Sequence, residues 1–257
     1  MKRFLLLPIL AFFTIATMAQ VNLQLHYDFG RLLYPDAEST RPYVTSTVEF
    51  FKADKLGNNY FFVDMDYYSD GMGAAYWEVY REFNFAKIGE TNHTFAGHIE
   101  YDGGLGINKY TGYGSRYQHS LLVGPAWNWN SNDYSKTVSV ELMYKQYFKQ
   151  GSMEAHPSFQ LTGVWSLSFA KDLCTFAGYF DICYCYIPKF KANGEQEKGI
   201  NFSSEPQFWF NLIGRNRPDR KFSVGTELEY SVNMIWPSEG CDQAFFFNPT
   251  LAVKYIF

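Results

Sequence analysis

Apolar and polar residues alternate with a period of two along most of the chain. In the last segment, Leu251, Val253 and Tyr255 share one parity, whereas Ala252 and Lys254 share the other. Successive side chains of a β-strand point to opposite faces, so each such segment has one apolar and one polar face. The pattern therefore predicts β-strands and not helices, whose period is about 3.6 residues.

The alternation divides the chain into about twelve strands, and short clusters of turn-forming residues separate them. We place the strands near residues 22–33, 43–53, 59–69, 74–86, 92–102, 116–130, 136–148, 157–170, 173–187, 204–213, 221–236 and 244–257. The turn clusters include residues 54–58, 69–73, 87–90 and 130–133. No long linker or change of composition interrupts the series, so we predict one domain over residues 20–257.

The N-terminal residues 1–19 follow a different pattern. Lys2 and Arg3 precede an apolar run that ends at Met18, and Thr17-Met18-Ala19 has small residues at its first and last positions. A basic start, an apolar stretch and a small-x-small motif are typical of a secretory signal peptide. An uncleaved membrane anchor is the alternative. We expect residues 1–19 to be removed and the remaining chain to be exported.

The length of the strands indicates which face is buried. Strands of a soluble sandwich need about five or six residues, whereas many segments here are long enough to cross a bilayer at a tilt of about 45°. Trp127, Trp129 and Trp236 lie at segment ends, where aromatic residues suit membrane interfaces. We therefore predict an all-β fold, a membrane-spanning antiparallel up-and-down β-barrel of about 12 strands. An exported soluble sandwich or lipocalin-like barrel is the alternative.

The composition excludes other classes of protein. Aromatic residues make up 20% of the chain, which argues against disorder. Beyond residue 19 there is no run of about 18 apolar residues, the minimum for a transmembrane helix. The net charge of −4 is too small and too dispersed to predict binding of a nucleic acid polymer.

An even number of strands places both termini of the chain on the periplasmic side, with short connections there and longer ones outside. The predicted periplasmic connections are Ala53–Asn58, Lys87–Thr91, Ser131–Ser135, Lys171–Asp172 and Gly214–Arg220. The predicted external connections are Tyr34–Pro42, Gly103–Ser115, Gly151–His156, Pro188–Ser203 and Pro237–Gln243.

The polar parity predicts an acidic, aromatic lumen. It carries many carboxylates, whereas its bases are Lys145, Lys254, His26 and His98. Such a lumen disfavours phosphates and other anions, and its rings can stack on flat heterocycles by about 1–3 kcal/mol per base. The predicted pore-lining, solute-binding residues are Glu49, Phe62, Asp64, Asp66, Glu78, Tyr80, Glu141, Lys145, Trp209, Glu227 and Glu229. The alternative is that acids pair with bases while the rings fill a closed lumen.

Four stretches, Thr47–Lys52, Trp77–Phe83, Ser139–Lys145 and Leu251–Phe257, resemble the nucleoside-specific channel-forming outer-membrane family (Tsx-type). The resemblance implies a twelve-stranded barrel in the outer membrane of a Gram-negative cell, with passive diffusion of nucleosides and deoxynucleosides. It also implies that Glu49, Glu78 and Lys145 line the pore. We expect three partners: outer-membrane lipid, a nucleoside-like solute, and the barrel-assembly machinery. The last of these would bind the C-terminal strand that ends at Phe257.

Two other functions stay open. One is a closed structural or surface-recognition barrel. The other is a lipid-modifying enzyme, because some outer-membrane phospholipases are also twelve-stranded barrels. The carboxylate pairs Asp64–Asp66 and Glu227–Glu229 are compatible with acid–base chemistry or calcium binding, since neighbours on one strand face are about 6.5–7 Å apart. No His–Ser pair stands at a persuasive spacing on the lipid-facing parity of adjacent strands, and no nucleophile-elbow or HExxH motif appears, so we expect no enzyme. We also expect no cofactor and no metal.

Two local features depart from the simple pattern. Arg81 falls on the lipid-facing parity near the middle of its segment, where an arginine costs about 2–4 kcal/mol at the midplane, so we expect a bulge or register shift there. Of the four cysteines, Cys183 and Cys185 share one strand face; either could bridge to Cys241, or the thiols could be free.

Overall fold

The computed structural model describes residues 20–34, 41–89, 91–107, 114–151, 153–212, 221–234 and 245–257. The predicted signal peptide, the connections Gly214–Arg220 and Pro237–Gln243, and Cys241 lie outside the described residues. No described helix combines the length and the apolar character that crossing a bilayer requires.

Strands make up nearly all the regular structure of the described residues. In chain order they are β1 (Gln20–Asp28), helix α1 (Gly30–Leu33), β2 (Val44–Asp54), β3 (Gly57–Tyr68), β4 (Gly71–Lys87), β5 (His93–Ile107), β6 (Gly114–Arg116), β7 (Ser120–Asn130), β8 (Lys136–Tyr147), β9 (His156–Phe169), β10 (Cys174–Phe190), β11 (Gln196–Ser204), β12 (Gln207–Asn211), β13 (Phe222–Val232) and β14 (Phe245–Ile256).

The strands form one antiparallel sheet that closes on itself. β1 pairs with β14, and β10 pairs with β9, so the ends of the sheet meet. β11 and β12 both pair with β10 and with β13 in one register, on either side of Glu205 and Pro206. Proline has no N–H to donate to the ladder, so these two elements are halves of one strand.

β6 extends β7 along the same edge of β5, with the register shifted by one residue. Fourteen described strands, two of them continuations of a neighbour, therefore give twelve positions around the wall. The prediction of an antiparallel β-barrel of about twelve strands is confirmed.

The two faces of the wall differ as the alternation predicts. Leu142, Phe159 and Leu251 are 58%, 63% and 57% exposed on the outer face, whereas Gln24 and Glu141 are buried on the inner face. Only a closed barrel or a helix satisfies every backbone hydrogen bond in hydrocarbon, and a lipid-spanning barrel carries its apolar side chains outward. The wall is built as a membrane-spanning barrel.

Two predicted external loops are largely strand. β5 continues to Ile107, within the predicted loop Gly103–Ser115, and β10 continues to Phe190. The predicted loop Pro188–Ser203 is therefore reduced to a turn at residues 191–195 before β11 begins. Turn-forming glycines suggested loops in the sequence, but pairing with long neighbouring strands extends the ladder past them.

The first predicted strand, 22–33, is shorter than expected. β1 ends at Asp28, and Gly30 begins the short helix α1. The backbone N–H of Gly30 donates to Asn248 Oδ1 on β14 at 2.7 Å. This contact holds the start of α1 against β14, the strand next to β1.

The connections at the end where β1 starts and β14 finishes are short. β2 and β3 are joined by Lys55 and Leu56 alone, and residues 131–135 join β7 to β8. In the second turn, hydrogen bonds from Ser131, Ser135 and the backbone N–H of Ser135 lower the pKa of Asp133 to about 2. The opposite end also has one two-residue turn, between β3 and β4.

Arg81 lies on the outer face of β4, and the expected register shift occurs not at this residue but between Asn84 and Ala86 of the β4–β5 ladder. β4 pairs Arg81 with Asn59 of β3 and with Ile99 of β5 in continuous registers. The guanidinium donates to both carboxylate oxygens of Asp54 at 2.9 and 2.8 Å. Asp54 ends β2 at the short-turn rim, and cations there cost far less than at the midplane. A bidentate ion pair, not a bulge, accommodates the arginine.

Replacing Gly124 by alanine should destabilise the barrel, whereas Gly97→Ala should not. A Cβ at Gly124 would lie 2.1 Å from the carbonyl oxygen of Leu142 on β8, while one at Gly97 would meet no atom within 4 Å. Overpacking of this kind costs about 1–3 kcal/mol. The free energy of unfolding in urea, measured in phospholipid vesicles, checks the difference. Equal values for the two variants would contradict the close approach of β7 and β8.

Candidate functional site

The inner wall of the barrel carries every residue predicted to line a pore. Glu49 stands on β2, Phe62, Asp64 and Asp66 on β3, Glu78 and Tyr80 on β4, Glu141 and Lys145 on β8, Trp209 on β12, and Glu227 and Glu229 on β13. Each occupies the inward parity of its strand. The wall brings them to one enclosed surface, but some of their side chains are exposed to the lumen and others are buried.

One part of this surface is acidic and half-buried. Its carboxylates, which we call the acidic surface, are Glu49, Asp64, Asp66, Glu78, Asp181, Glu205 and Glu229. β3 and β10 lie six positions apart in the strand order, so they face each other across the lumen. Glu78 of β4 and Asp181 of β10 are close enough for their charges to interact, and so are Asp64 and Glu205. The acidic surface therefore spans two opposite walls.

Hydroxyl groups on β2 fix two of these carboxylates. Thr45 Oγ1 donates to Asp66 Oδ1 at 2.7 Å, and Thr47 Oγ1 donates to Asp64 Oδ1 at 2.5 Å. Both contacts join cross-strand pairs of the β2–β3 ladder. The register of the β2–β3 ladder thus decides which hydroxyl holds which carboxylate.

Aromatic rings on β3 and β4 border the acidic surface. Tyr60 and Tyr80 stack with ring centroids 5.2 Å apart and an interplanar angle of 29°. Phe62 lies 6.0 Å from both Tyr60 and Tyr76, in tilted arrangements. The hydroxyl of Tyr76 donates to Glu78 Oε1 at 2.7 Å. Rings and carboxylates therefore alternate along the inner face of β4, whereas on β3 two rings precede two carboxylates.

Trp209 points inward but is covered. Its exposed fraction is 0%. Lys254 Nζ lies 4.0 Å above the ring, the His26 ring meets it edge-on at 6.0 Å, and the indole N–H donates to Gln207. The ring packs against the wall and does not border the open part of the lumen.

Lys145 is neutralised within the wall. Its ammonium lies 2.9 Å from Asp102 Oδ2 and donates to Gln160 Oε1 at 2.8 Å. The hydroxyl of Ser120 donates to the same carboxylate oxygen of Asp102 at 2.9 Å. Both charged groups are buried, so this ion pair belongs to the packed side of the lumen, along β5, β7, β8 and β9.

Two groups of side chains have donor atoms close enough to share a metal ion. They are Glu82 with His98 and Glu141, and Glu78 with Glu100 and Asp102, each with its ligand atoms within 4.8 Å of one another. Sequence reasoning placed Glu82 and His98 on the polar parity but left them out of the site. Only strand pairing shows that they meet, because β4 pairs Glu82 directly with His98 of β5.

The described cysteines carry free thiols. Cys183 and Cys185 are buried on the inner face of β10, and Cys174 is half-buried at its start. Ser158 Oγ lies 3.2 Å from Cys183 Sγ. The free-thiol alternative holds for these three residues.

Comparison with known proteins finds a family match and several barrels. A family model described as "Domain of unknown function (DUF5020)" matches residues 19–257. The KdgM porin is 10% identical in sequence. Its structural alignment covers 93% of this chain and 99% of the porin chain, with a TM-score of 0.46. The KdgM porin in complex with disordered oligogalacturonate has the same identity and coverage and a TM-score of 0.47.

The outer membrane protein opdK from Pseudomonas aeruginosa is 7% identical, covering 86% of this chain and 60% of that chain, with a TM-score of 0.41. No curated protein matches the chain in sequence.

Lys145→Met should destabilise the barrel more than Lys145→Met combined with Asp102→Leu. Removing one partner of a buried ion pair costs about 3–5 kcal/mol, because the other charge is left uncompensated. Replacing both removes that penalty. Urea unfolding of the two variants and the wild type in vesicles gives the comparison. A double variant at least as unstable as the single one would show that the pair is not desolvated.

Proposed function

The chain belongs to the DUF5020 family, and we propose that it forms a channel through which small solutes diffuse passively across the outer membrane. The observation that carries the proposal is the pairing of an apolar outer wall with an acidic, half-buried inner surface on opposite walls. A barrel filled only for stability gains nothing from facing carboxylates, since their mutual repulsion is unfavourable.

The preferred solutes are neutral or cationic compounds with flat rings, and nucleosides are the class we put first. Closely spaced carboxylates generate a negative potential that repels nucleotides and other anions. Carboxylate oxygens accept hydrogen bonds from sugar hydroxyls and ring amines, while aromatic side chains stack on heterocycles.

The accessible residues divide these tasks. We assign hydrogen bonding to the acidic surface, and stacking to Phe62 and Tyr80. Glu141, Lys145, Trp209 and Glu227 are buried, so they shape the wall instead of touching the solute. Successive weak contacts suit a channel, because a solute must leave as easily as it enters.

A closed recognition barrel is the second candidate, and one observation favours it. Leu122 and Ala126 of β7 and Met143 of β8 are 0%, 1% and 1% exposed on the inner side. Part of the lumen is therefore packed with side chains. A fully closed barrel would bind partners at its rim and conduct nothing.

Export and membrane insertion complete the proposal. Residues 1–19 would direct export, and the C-terminal strand ending at Phe257 would be read by the barrel-assembly machinery. Outer-membrane lipid would then cover the apolar wall.

An arginine in the middle of the outer face should cost more than one near its edge. We expect Leu142→Arg to lose about 2–4 kcal/mol of stability in vesicles and Leu105→Arg about 0–1 kcal/mol, because the cost falls toward the interface. Leu142 lies mid-strand on β8 and Leu105 near the end of β5, and both are exposed. Urea unfolding measures both. Similar losses would argue against a bilayer around the wall.

Liposomes containing the barrel should swell faster in uridine than in uridine monophosphate. The swelling rate in a neutral sugar should also be lower than in uridine. Asp64→Asn combined with Glu229→Gln should reduce this preference for the nucleoside and shift the ion selectivity in planar bilayers toward anions. Glu195→Gln, on the exposed turn after β10, is the matched control and should behave as wild type. Absence of swelling with every solute would instead support the closed barrel.

A further inference from the structure

One ring nitrogen inside the wall faces two carboxylates without bonding to either. His98 Nδ1 lies 3.5 Å from Glu82 Oε1 and 3.7 Å from Glu141 Oε2. Among the described residues this nitrogen has no hydrogen-bond partner, and His98 is 3% exposed. Buried polar atoms are nearly always paired, and an orphan calls for an explanation.

The hydrogen bond of the other ring nitrogen, Nε2, determines which nitrogen of His98 carries the lone pair. His98 Nε2 lies 3.0 Å from Glu100 Oε2. A carboxylate can only accept, so Nε2 carries a proton, and in the neutral ring this leaves the lone pair of Nδ1 available to a bound ion. A carboxylate on the distal nitrogen is the usual support of a metal-binding histidine.

Hydrogen bonds also orient both glutamates. Glu82 Oε2 accepts from the side-chain amides of Asn58 and Asn128, each at 2.9 Å. Glu141 Oε1 accepts from Ser139 Oγ at 2.8 Å. In each glutamate one oxygen is held by the wall and the other faces His98.

Small residues on β7 let the side chain of Glu141 reach those of Glu82 and His98. Glu82 and His98 are cross-strand neighbours, but Glu141 stands on β8, with β7 in between. On β7 the inward positions beside them are Gly124 and Ala126. These small residues leave room above β7 for the three side chains to converge.

The distances favour an ion over a proton at the centre. A protonated His98 would draw one glutamate to about 2.7–2.9 Å, the length of a charge-assisted hydrogen bond. A tetrahedral ion with ligand bonds of about 2.0–2.2 Å holds its ligand atoms roughly 3.3–3.6 Å apart. The separations of 3.5 and 3.7 Å from Nδ1 are close to the second arrangement, and all three ligand atoms lie within 4.8 Å of one another.

We propose that Glu82, His98 and Glu141 bind one divalent transition-metal ion, for which zinc is the best candidate. One imidazole and two carboxylates form the mixed nitrogen and oxygen set that suits zinc and its neighbours in the first row, and not calcium or magnesium. The ion ties β4, β5 and β8 together across β7. The site is independent of solute passage, so it stands or falls separately from the channel.

The test is zinc binding by the folded, purified barrel in detergent after treatment with a chelator. We expect titration calorimetry and elemental analysis to give one zinc per chain. His98→Gln should weaken binding at least tenfold, and Glu100→Gln should weaken it about 10–100-fold, as for other supporting carboxylates. His26→Gln is the matched control and should bind normally, since both ring nitrogens of this buried histidine are hydrogen-bonded to Gln24 and Thr250.

Cobalt substitution in the wild type keeps the test valid if a variant fails to fold. A bound cobalt ion with nitrogen and oxygen ligands should show visible d–d bands and no thiolate charge-transfer band. The proposal is overturned if the wild type takes up no zinc, or if His98→Gln binds as tightly as wild type. It is also overturned if binding disappears in Cys183→Ser combined with Cys185→Ser and cobalt shows a thiolate band.

Discussion

Closure of the backbone ladder is the constraint on which this structure depends. An apolar wall in lipid cannot leave strand edges unpaired, because each unsatisfied amide or carbonyl costs several kcal/mol in hydrocarbon. The pairing of β1 with β14 and of β9 with β10 removes those edges. Once the ring is closed, the period of two sends every second side chain into a confined space, so polar groups that would scatter over a soluble protein are concentrated here.

The sequence predicts the part of this architecture that follows from local alternation. The parity of Asp64 or Glu229 depends only on its own strand, and the strand positions follow from the same pattern. Strand ends are less predictable: Gly103 and Gly104 have the composition of a loop, yet they belong to β5 because β4 is long enough to pair with them. Arg81 illustrates the same limit, since its partner Asp54 is 27 residues away and is brought near by the β2–β3 turn.

The same limit applies to the candidate site, where the sequence predicts the direction of a side chain but not its contacts. Alternation shows that Trp209 points inward, but its burial under Lys254 comes from Gly225 on the intervening strand β13, which offers no side chain between them. Likewise, Glu82, His98 and Glu141 each lie on a predictable face, while their convergence requires the order of four strands. Which residues face the lumen is local information; which of them touch one another is not.

Charged side chains inside the barrel bear both on the stability of the wall and on the solute preference proposed for it. Asp28 is balanced by Arg41 at 2.5 Å and Asp102 by Lys145 at 2.9 Å. Arg41 attracts Asp66 and Glu229, and Lys145 attracts Asp181, so the acidic surface is only partly balanced by bases of the wall. Protons, mobile cations or a cationic solute would reduce the remaining repulsion. In the proposed channel, the same charges that cost stability would attract a positively charged or hydrogen-donating solute.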